Sequence, residues 1–367
     1  MITGPKYCGK TTTAKTFCHS LHSFSTPAKI ALYEPNIRMA LRGETPVLID
    51  EWQNIPRIWD KIRDEIDDRG GAFGQFILTG SVHPLDYEEI IHSGEGRISR
   101  IIMRPFSLFE SKESSGSISF ASLFDAETKL FCEESETTLC DVAHYKNKEK
   151  EGFFRHVDLA ERILASYARN ISSEAPLSPI RSDISGNDKR KIDDETLSSY
   201  LAKLKGLFII DDLPSWNPNL RSKTAIRSTP TRHFIDPSIA SASLGISPSD
   251  LLNDPHTLSL FFEDLAVRDL RIYADAIGSK VAHYRDAGGL EVDAIVHKRN
   301  GDWGAMEIKL GSPEQIQKAC SSLLSLKRKI DTNKLKSPSF LAVLTAAGSA
   351  STNEDGIHIF PLTMLKN

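Results

Sequence analysis

The segment from Gly4 to Thr11 reads GPKYCGKT, which fits the phosphate-binding pattern G-x-x-x-x-G-K-[ST]. Glycines at 4 and 9 admit backbone conformations that side chains forbid, so successive N–H groups can turn toward phosphate oxygens. Lys10 would supply a charge for the β- and γ-phosphates, and Thr11 a hydroxyl ligand for Mg²⁺. The residues predicted to contact the nucleotide are Gly4, Pro5, Lys6, Cys8, Gly9, Lys10, Thr11 and Thr12. The pattern therefore predicts ATP and Mg²⁺ as cofactors.

An apolar run ends in two carboxylates at 46–51, PVLIDE, as a Walker B strand does. Asp50 would hold the Mg²⁺ through water, and Glu51 would orient or deprotonate the water that attacks the γ-phosphate. An ordinary strand that ends in an acidic turn is an equally good interpretation of this segment alone. A second apolar run, FILTGS at 76–81, ends in small polar residues, and Thr79 or Ser81 stands where a polar sensor of the γ-phosphate would be.

These side chains need a sheet and a helix to position them. Residues 11–23 are expected to form a helix whose N-terminal dipole faces the phosphates. Strands are predicted at 30–34 (IALYE), 46–51 and 76–81. Such β–α alternation is typical of a parallel sheet with its site at the carboxyl ends of the strands. The sequence therefore predicts an α/β fold with a P-loop domain at its start, and the ordered motifs favour an ATPase.

Three arginines follow in GEGRISRIIMRP: Arg97, Arg100 and Arg104. One of them, with Arg97 as the candidate, could be an arginine finger that completes the site of a neighbouring copy. A solvated arginine remote from any phosphate is the alternative.

The C-terminal third shows a helix at 257–275, strand-like runs at 280–286, 290–296 and 303–309, a helix near 313–330, and two more strands at FLAVLT and IHIF. Helix, three-stranded meander, helix and strand is the core order of restriction-endonuclease-like folds. The sequence therefore predicts a C-terminal α/β domain of that kind.

Two carboxylates and a lysine lie where that fold needs them. Asp293 lies in one strand, and Glu307 and Lys309 share a face of the next, because strand side chains repeat every two residues. The carboxylates could hold a second Mg²⁺, with Glu263 as a further ligand and Lys309 to activate water. This is a PD-(D/E)xK-like pattern. The alternative is an ion-paired surface, or an inherited fold that cleaves nothing.

Tyr284, Arg285 and Asp286 lie on the neighbouring strand and could line the same cleft, or pair with one another.

The middle of the chain is predicted to be helical. Residues 110–150 are rich in Ser and Glu and are expected to form a mobile connection. A helix is predicted at 156–170, then a loop with Pro176 and Pro179, then a helix and a strand from Gly206. Helix followed by hairpin is the pattern of a winged-helix unit.

The second of these helices carries Lys203 and Lys205, balanced by Asp193, Asp194 and Glu195. This balance favours a packing or protein-contact module over a DNA reader.

Trp216 and Arg221 are expected to lock the hairpin.

A chain of 367 residues with a net charge of −4 is long enough for several domains and carries no global field that would recruit nucleic acid or a membrane. The five cysteines form no C-x-x-C pair, which indicates reduced thiols, and no apolar run is long enough to span a membrane. A cytoplasmic protein is expected. The predicted domains are 1–110, a connection at 111–155, a helical or winged-helix domain at 156–235, and a nuclease-like domain at 236–367.

Taken in order, these motifs resemble a known family: prokaryotic AAA-type ATP-binding proteins whose C-terminal half is a domain of unknown function with a nuclease-like fold. The resemblance implies ATP binding, Mg²⁺ dependence and a three-part architecture of the chain. Its matching stretches are TGPKYCGKTTTA, LIDEWQNIP, FILTGS, GRISRIIMRPFSLFES, SYARNIS, LFIIDDLPSWNPNLRSK, RHFIDPSIA, FFEDLAVRDLR, HYRD, LEVDAIV and MEIKLG.

The sequence departs from the family pattern at two places. Only Met1, Ile2 and Thr3 precede Gly4, fewer than the ~5 residues of an ordinary strand, so an incomplete central strand and adenine pocket are expected. Residues 144–155 read HYKNKEKEGFFR where the family tends to have a Gly-Gly-Trp-Pro turn. A truncated or eroded family member is expected, with ATP binding a firmer expectation than hydrolysis.

Three functions follow from the sequence. The first is a Mg²⁺-dependent ATPase with an attached nuclease-like domain. The second is a nucleotide-binding switch or scaffold without useful turnover. The third is a Mg²⁺-dependent nuclease that acts through the C-terminal domain. The expected partners are a nucleotide, further copies of the chain and, for the nuclease, a nucleic acid.

Overall fold

A computed structural model describes residues 1–81, 96–125, 134–135, 157–185, 192–218 and 229–367. The chain divides into two compact units, one of Met1–Pro105 with Leu201–Ile209 and one of Phe106–Tyr200 with Ile210–Asn367. No helix in the described ranges is long and apolar enough to cross a membrane. Cys8, Cys18 and Cys320 are free thiols, as expected, while Cys132 and Cys140 lie outside the described residues.

The N-terminal unit is built on a five-stranded sheet in the order β2-β3-β4-β1-β5, and all of its strand pairs are parallel. Its strands are β1 (Ile2–Thr3), β2 (Ser20–Ser23), β3 (Val47–Asp50), β4 (Phe76–Gly80) and β5 (Ile101–Ile102). The predicted strands at 46–51 and 76–81 are confirmed as β3 and β4. β3 is buried along its whole length, as expected for a parallel strand covered on both faces.

The register of this sheet aligns polar residues at the carboxyl ends of its strands. Asp50 pairs with Ser23 on one side and with Thr79 on the other, and Thr79 pairs with Ile2. Gly4 directly follows β1, so the phosphate loop starts beside this row of polar residues. The short first strand thus lies between β4 and β5.

The helices of this unit are α1 (Lys10–Lys15), α2 (Pro27–Tyr33) and α3 (Ile58–Asp68), with short 3₁₀ turns at Ile37–Leu41 and Trp52–Asn54. α3 buries Ile58, Trp59 and Ile62, and the ring of Trp59 lies 5.2 Å from that of Trp52. This packing anchors the turn that follows β3.

Two predictions for this unit are wrong. The helix expected at 11–23 ends at Lys15, and Ser20–Ser23 is strand β2. The strand expected at 30–34 lies in helix α2 instead. Thr26 caps that helix by accepting from the N–H of Lys29, and Pro27 occupies its first turn, so the local helix-start signal outweighs the apolar run.

The second unit contains a six-stranded sheet in the order β13-β14-β11-β10-β9-β8. Its strands are β8 (Ser279–Arg285), β9 (Glu291–Lys298), β10 (Trp303–Lys309), β11 (Phe340–Thr345), β13 (Ser351–Thr352) and β14 (His358–Pro361). The first three form the predicted antiparallel meander, and β10, β11 and β14 run parallel.

Helices cover both faces of this sheet. They are α9 (Pro255–Ala276), whose Leu270 packs with Ala294 and Val296 of β9, and α10 (Pro313–Lys329), whose Leu323 packs with Ile295. Neighbouring residues of β9 thus enter opposite cores, as strand geometry requires. The predicted order of helix, meander, helix and strands is confirmed.

Five further helices lie between the two sheets in the sequence, within the described ranges. They are α4 (Val157–Arg169), α5 (Leu177–Ser185), α6 (Asp194–Gly206), α7 (Pro237–Leu244) and α8 (Pro248–Asn253). The predicted helix at 156–170 is confirmed by α4. The loop expected around Pro176 and Pro179 is only partly found: Pro176 precedes α5, but Pro179 falls in its first turn, where a proline is tolerated.

The strand expected from Gly206 is also not found, because α6 runs through Gly206. The chain after it makes single β-bridges, Ile210 with Phe234, Leu213 with Thr231, and Ser215 with His283. Trp216 then packs on Trp303, with ring centroids 5.1 Å apart, so it anchors this segment to the second core. Arg221 and the segment at 144–155 lie outside the described residues.

Short strand pairs tie distant parts of the second unit together. β6 (Ile118–Ser119) pairs with β15 (Leu365–Lys366), and β7 (Glu134–Ser135) pairs with β12 (Gly348–Ser349). The side chains of Phe120 and Leu123 are buried in the core beneath α9. These residues fall within the stretch for which a mobile connection was expected, and the structure packs them into the second unit.

Candidate functional site

The phosphate loop has the backbone that its glycines predict. Gly9 is left-handed (φ 93°) and precedes the first residue of α1. Gly4 has φ 154°, and a Cβ added there would lie 2.0 Å from the carbonyl oxygen of Met103. The Sγ of Cys8 lies 3.4 Å from that same oxygen. The loop therefore packs directly on the chain that follows β5.

Lys10 lies inside the loop that precedes it. Its Nζ donates to the carbonyl oxygens of Pro5 (2.6 Å) and Gly4 (3.1 Å). Burial lowers the pKa of Lys10, while the charges of Cys8, Glu51 and Asp50 act to raise it. The ammonium is thus already satisfied by backbone oxygens of the loop.

Asp50 accepts hydrogen bonds from three segments of the chain. Its Oδ1 accepts from the hydroxyls of Thr11 (2.6 Å) and Thr79 (2.8 Å), and its Oδ2 accepts from Ser23 (3.2 Å). The structure thus brings together the predicted metal ligands, Thr11 and Asp50, and the predicted sensor, Thr79. Oxygen atoms of hydroxyl and carboxylate groups are the ligands that Mg²⁺ prefers.

Glu51 is held in an unusual conformation next to this carboxylate. Its backbone is left-handed (φ 56°, ψ 43°), which a residue with a side chain rarely adopts. Its carboxylate accepts a short hydrogen bond from the side-chain amide of Gln53. The predicted catalytic carboxylate therefore has a defined partner within its own turn.

The other predicted residues near the loop take different positions. Arg97 pairs with Asp67 of α3 at 2.7 Å, and both side chains are exposed. Arg100 lies over the ring of Trp59, 6.0 Å from its centroid. The hydroxyl of Ser81 is buried without a hydrogen-bond partner in the described part of the chain. Thr79, rather than Ser81, thus contacts Asp50.

The second predicted cluster also assembles. The Nζ of Lys309 contacts Asp293 Oδ2 (2.6 Å) and Glu307 Oε2 (2.7 Å), and the N–H of Ile308 donates to the same oxygen of Asp293 (2.7 Å). The backbone pairing of β9 with β10 ends at Ala294 and Met306. The side chain of Asp293 then accepts the next hydrogen bond, from the N–H of Ile308. This contact has a structural effect whatever else the cluster does.

The cluster contains three carboxyl groups and one ammonium group, those of Glu263, Asp293, Glu307 and Lys309. Burial raises the pKa of Glu263 and of Glu307 well above the usual range, and the charge of Asp293 raises both further. Burial lowers the pKa of Lys309, but Asp293 and Glu307 outweigh it, so this pKa is raised. Within the described residues, no three His, Cys, Asp or Glu side chains are placed to hold a metal ion.

The neighbouring triplet pairs elsewhere rather than with this cluster. Tyr284 donates to Asp286 (3.3 Å), and Asp286 pairs with Lys329 (2.6 Å). Arg285 pairs with Glu174 and Glu291, each at 3.1 Å. These contacts favour the pairing alternative.

Comparison with known proteins agrees with the first site. Residues 1–112 match a family described as an AAA domain. Residues 138–250 and 260–365 match two families described as domains of unknown function, DUF8612 and DUF4143. No curated protein and no solved structure matches the chain. The chain therefore carries an AAA-type P-loop domain at its N-terminus, and the nuclease-like character of the C-terminal half stays a prediction.

Two residues of the first site were not predicted. Ser23 was hidden because the helix expected at 11–23 covered it, although a polar residue at the end of a strand was the signal to look for. Gln53 gave no signal in its spacing, because its contact depends on the left-handed turn at Glu51.

The contact between Gly4 and Met103 can be tested by replacing Gly4 with alanine. The added Cβ clashes with a backbone oxygen, so we expect a loss of stability of about 1–3 kcal/mol and a loss of ATP affinity of about tenfold or more. Differential scanning fluorimetry and ATP titration measure the two effects.

Gly74→Ala is the matched control. Gly74 also has a positive φ (76°) but nothing within 4 Å of an added Cβ, so it should lose stability while its ATP affinity stays unchanged. Equal ATP affinity in wild type and Gly4→Ala would contradict the account.

Proposed function

We propose that the protein binds ATP with Mg²⁺ at its N-terminal P-loop and hydrolyses it. The observation that carries this proposal is the carboxylate of Asp50, which accepts from Thr11 of the loop and from Thr79 of β4 at once. The AAA-type match of residues 1–112 supports the same class of activity. Binding and hydrolysis are assigned to different residues.

Binding rests on the loop and its lysine. Lys10 exchanges the carbonyl oxygens of Gly4 and Pro5 for the β- and γ-phosphate oxygens, and the loop N–H groups bind the remaining ones. The further contacts are assigned to the rest of the predicted set: Lys6, Cys8, Gly9 and Thr12. Thr11 and Asp50 would hold Mg²⁺, which neutralises phosphate charge when bound.

Hydrolysis is assigned to the carboxylate after the strand. Glu51 orients the attacking water and takes its proton, and Thr79 keeps the Asp50 carboxylate in place. Arg97 is exposed and forms an ion pair with Asp67, so a role as a finger on another copy of the chain would require it to leave this carboxylate. We retain a homo-oligomer with Arg97 as a finger as part of the proposal.

Two substitutions separate binding from chemistry. Lys10→Ala should weaken ATP binding and lower phosphate release about 100-fold or more, because it removes the ammonium group that contacts the phosphates. Glu51→Gln should keep ATP binding and lower phosphate release about 10²- to 10⁴-fold, because it removes a general base. Steady-state phosphate release and ATP titration measure both.

Lys15→Ala is the control, since Lys15 is exposed in the same helix as Lys10. If neither substitution changes the rate while ATP still raises the melting temperature, the protein is a nucleotide-binding switch or scaffold.

A second function is favoured by one further observation. Asp293 and Glu307 both contact Lys309, and the pKa values of Glu263 and Glu307 are raised by burial and further by the charge of Asp293. We propose this cluster as a site for Mg²⁺-dependent cleavage of nucleic acid by a PD-(D/E)xK-like domain. Mg²⁺ would bind the carboxylates only if the ammonium of Lys309 withdraws from them. The middle domain, proposed as a winged-helix module, would serve packing rather than DNA reading.

Plasmid DNA and RNA oligonucleotides test this second function. With Mg²⁺, the wild type should cut at least one of them, and Asp293→Ala should reduce the rate about 100-fold or more, as should EDTA. Asp302→Ala, which removes a partly buried carboxylate paired with Lys336, should leave the rate unchanged. Substrates that remain intact with wild type would rule the nuclease out.

A further inference from the structure

Gln53 occupies a fixed place beside the proposed catalytic carboxylate. It lies in the 3₁₀ turn Trp52–Asn54, which begins at the left-handed residue Glu51. Trp52 is fully buried, and the side-chain amide of Asn54 donates to the carbonyl of Phe24 at 2.8 Å. The residues on both sides of Gln53 are thus anchored, so its side chain starts from a rigid base.

The orientation of the Gln53 amide follows from chemistry. An ionised carboxylate only accepts hydrogen bonds, so the Nε2 of Gln53 must face Glu51. The Oε1 then points the other way. It is buried and has no hydrogen-bond partner among the described residues.

The end of β4 makes room for this amide. A Cβ on Gly80 would lie 2.6 Å from Gln53 Oε1 and 2.7 Å from Trp52 Nε1. Gly80 lies between Thr79, which donates to Asp50, and Ser81, whose buried hydroxyl lacks a partner in the described chain. A side chain at this position would therefore collide with the buried indole of Trp52 and displace the amide of Gln53, although the backbone of Gly80 does not itself require a glycine.

These contacts join the two halves of the proposed hydrolytic site. One end of the amide holds Glu51, and the other end abuts the strand that supplies Thr79. We propose that Gln53 is a positioning residue, which fixes the Glu51 carboxylate relative to the end of β4 and so sets where the attacking water is deprotonated. This inference rests on the proposed ATPase function.

Two substitutions of Gln53 test the proposal through steady-state phosphate release between about pH 5.5 and pH 9. Gln53→Met removes the donor, and Gln53→Glu replaces it with a second carboxylate of the same shape. Both should lower kcat about 10- to 100-fold with KM for ATP within about twofold of wild type, because the loop and Lys10 are untouched.

Gln75→Met is the matched control, because the Gln75 amide donates to the carbonyl of Ala72, just before β4 begins. It should keep the wild-type kcat and pH profile. A kcat within about twofold of wild type in both Gln53 variants overturns the proposal.

If wild type releases phosphate no faster than Lys10→Ala, the ATPase proposal is wrong, and a double-mutant cycle still tests the contact between Gln53 and Glu51. Melting temperatures are compared for wild type, Glu51→Ala, Gln53→Met and the double variant. The contact predicts that the two changes are non-additive by about 2 °C or more. Additive changes overturn the positioning role.

Discussion

The first site depends on the hydrogen bonds that converge on Asp50. A carboxylate that is largely removed from water needs partners for its oxygens, because burying an unpaired charge is costly. Here the partners are hydroxyls from the phosphate loop, from β2 and from β4. The same bonds that satisfy Asp50 therefore fix the loop against the carboxyl edge of the sheet, and the structure and the proposed chemistry share one requirement.

This constraint explains how the loop is held beside a two-residue first strand. β1 pairs on both sides, with β4 and with β5, and the N–H of Met103 donates to the carbonyl of Thr3 (2.7 Å). The carbonyl of Met103 then lies under Gly4, and Thr11 is held by Asp50 from the other side. Contacts with neighbouring segments thus supply the support that a longer strand gives in other sheets.

In both units buried carboxylates are satisfied by polar partners, but the partners differ. In the second unit a lysine, Lys309, neutralises part of a buried carboxylate cluster, and Asp293 also bonds to a backbone N–H at the end of a ladder. In the first unit the carboxylate of Asp50 accepts hydrogen bonds from hydroxyls, and Lys10 acts on it only as a nearby charge.

The polar residues at the ends of β3 and β4 followed from the sequence more directly than the elements around them. β3, β4 and the meander at β8–β10 could be found because apolar runs end in polar residues at their edges. The helix expected at 11–23 failed because its residues suit both states, and the pairing of β2 with β3 decided for a strand. The strand expected at 30–34 failed because Thr26 and Pro27 start a helix there. Ser23 and Gln53 could not be predicted, since one depends on sheet register and the other on a left-handed turn.

The most direct test of the account is the effect of Mg²⁺ on ATP affinity, measured by titration calorimetry with Mg²⁺ or EDTA. Wild type should bind ATP about tenfold or more tightly with Mg²⁺, about 1.4 kcal/mol, and Asp50→Asn should lose this difference. An equal Mg²⁺ effect in both proteins would contradict it.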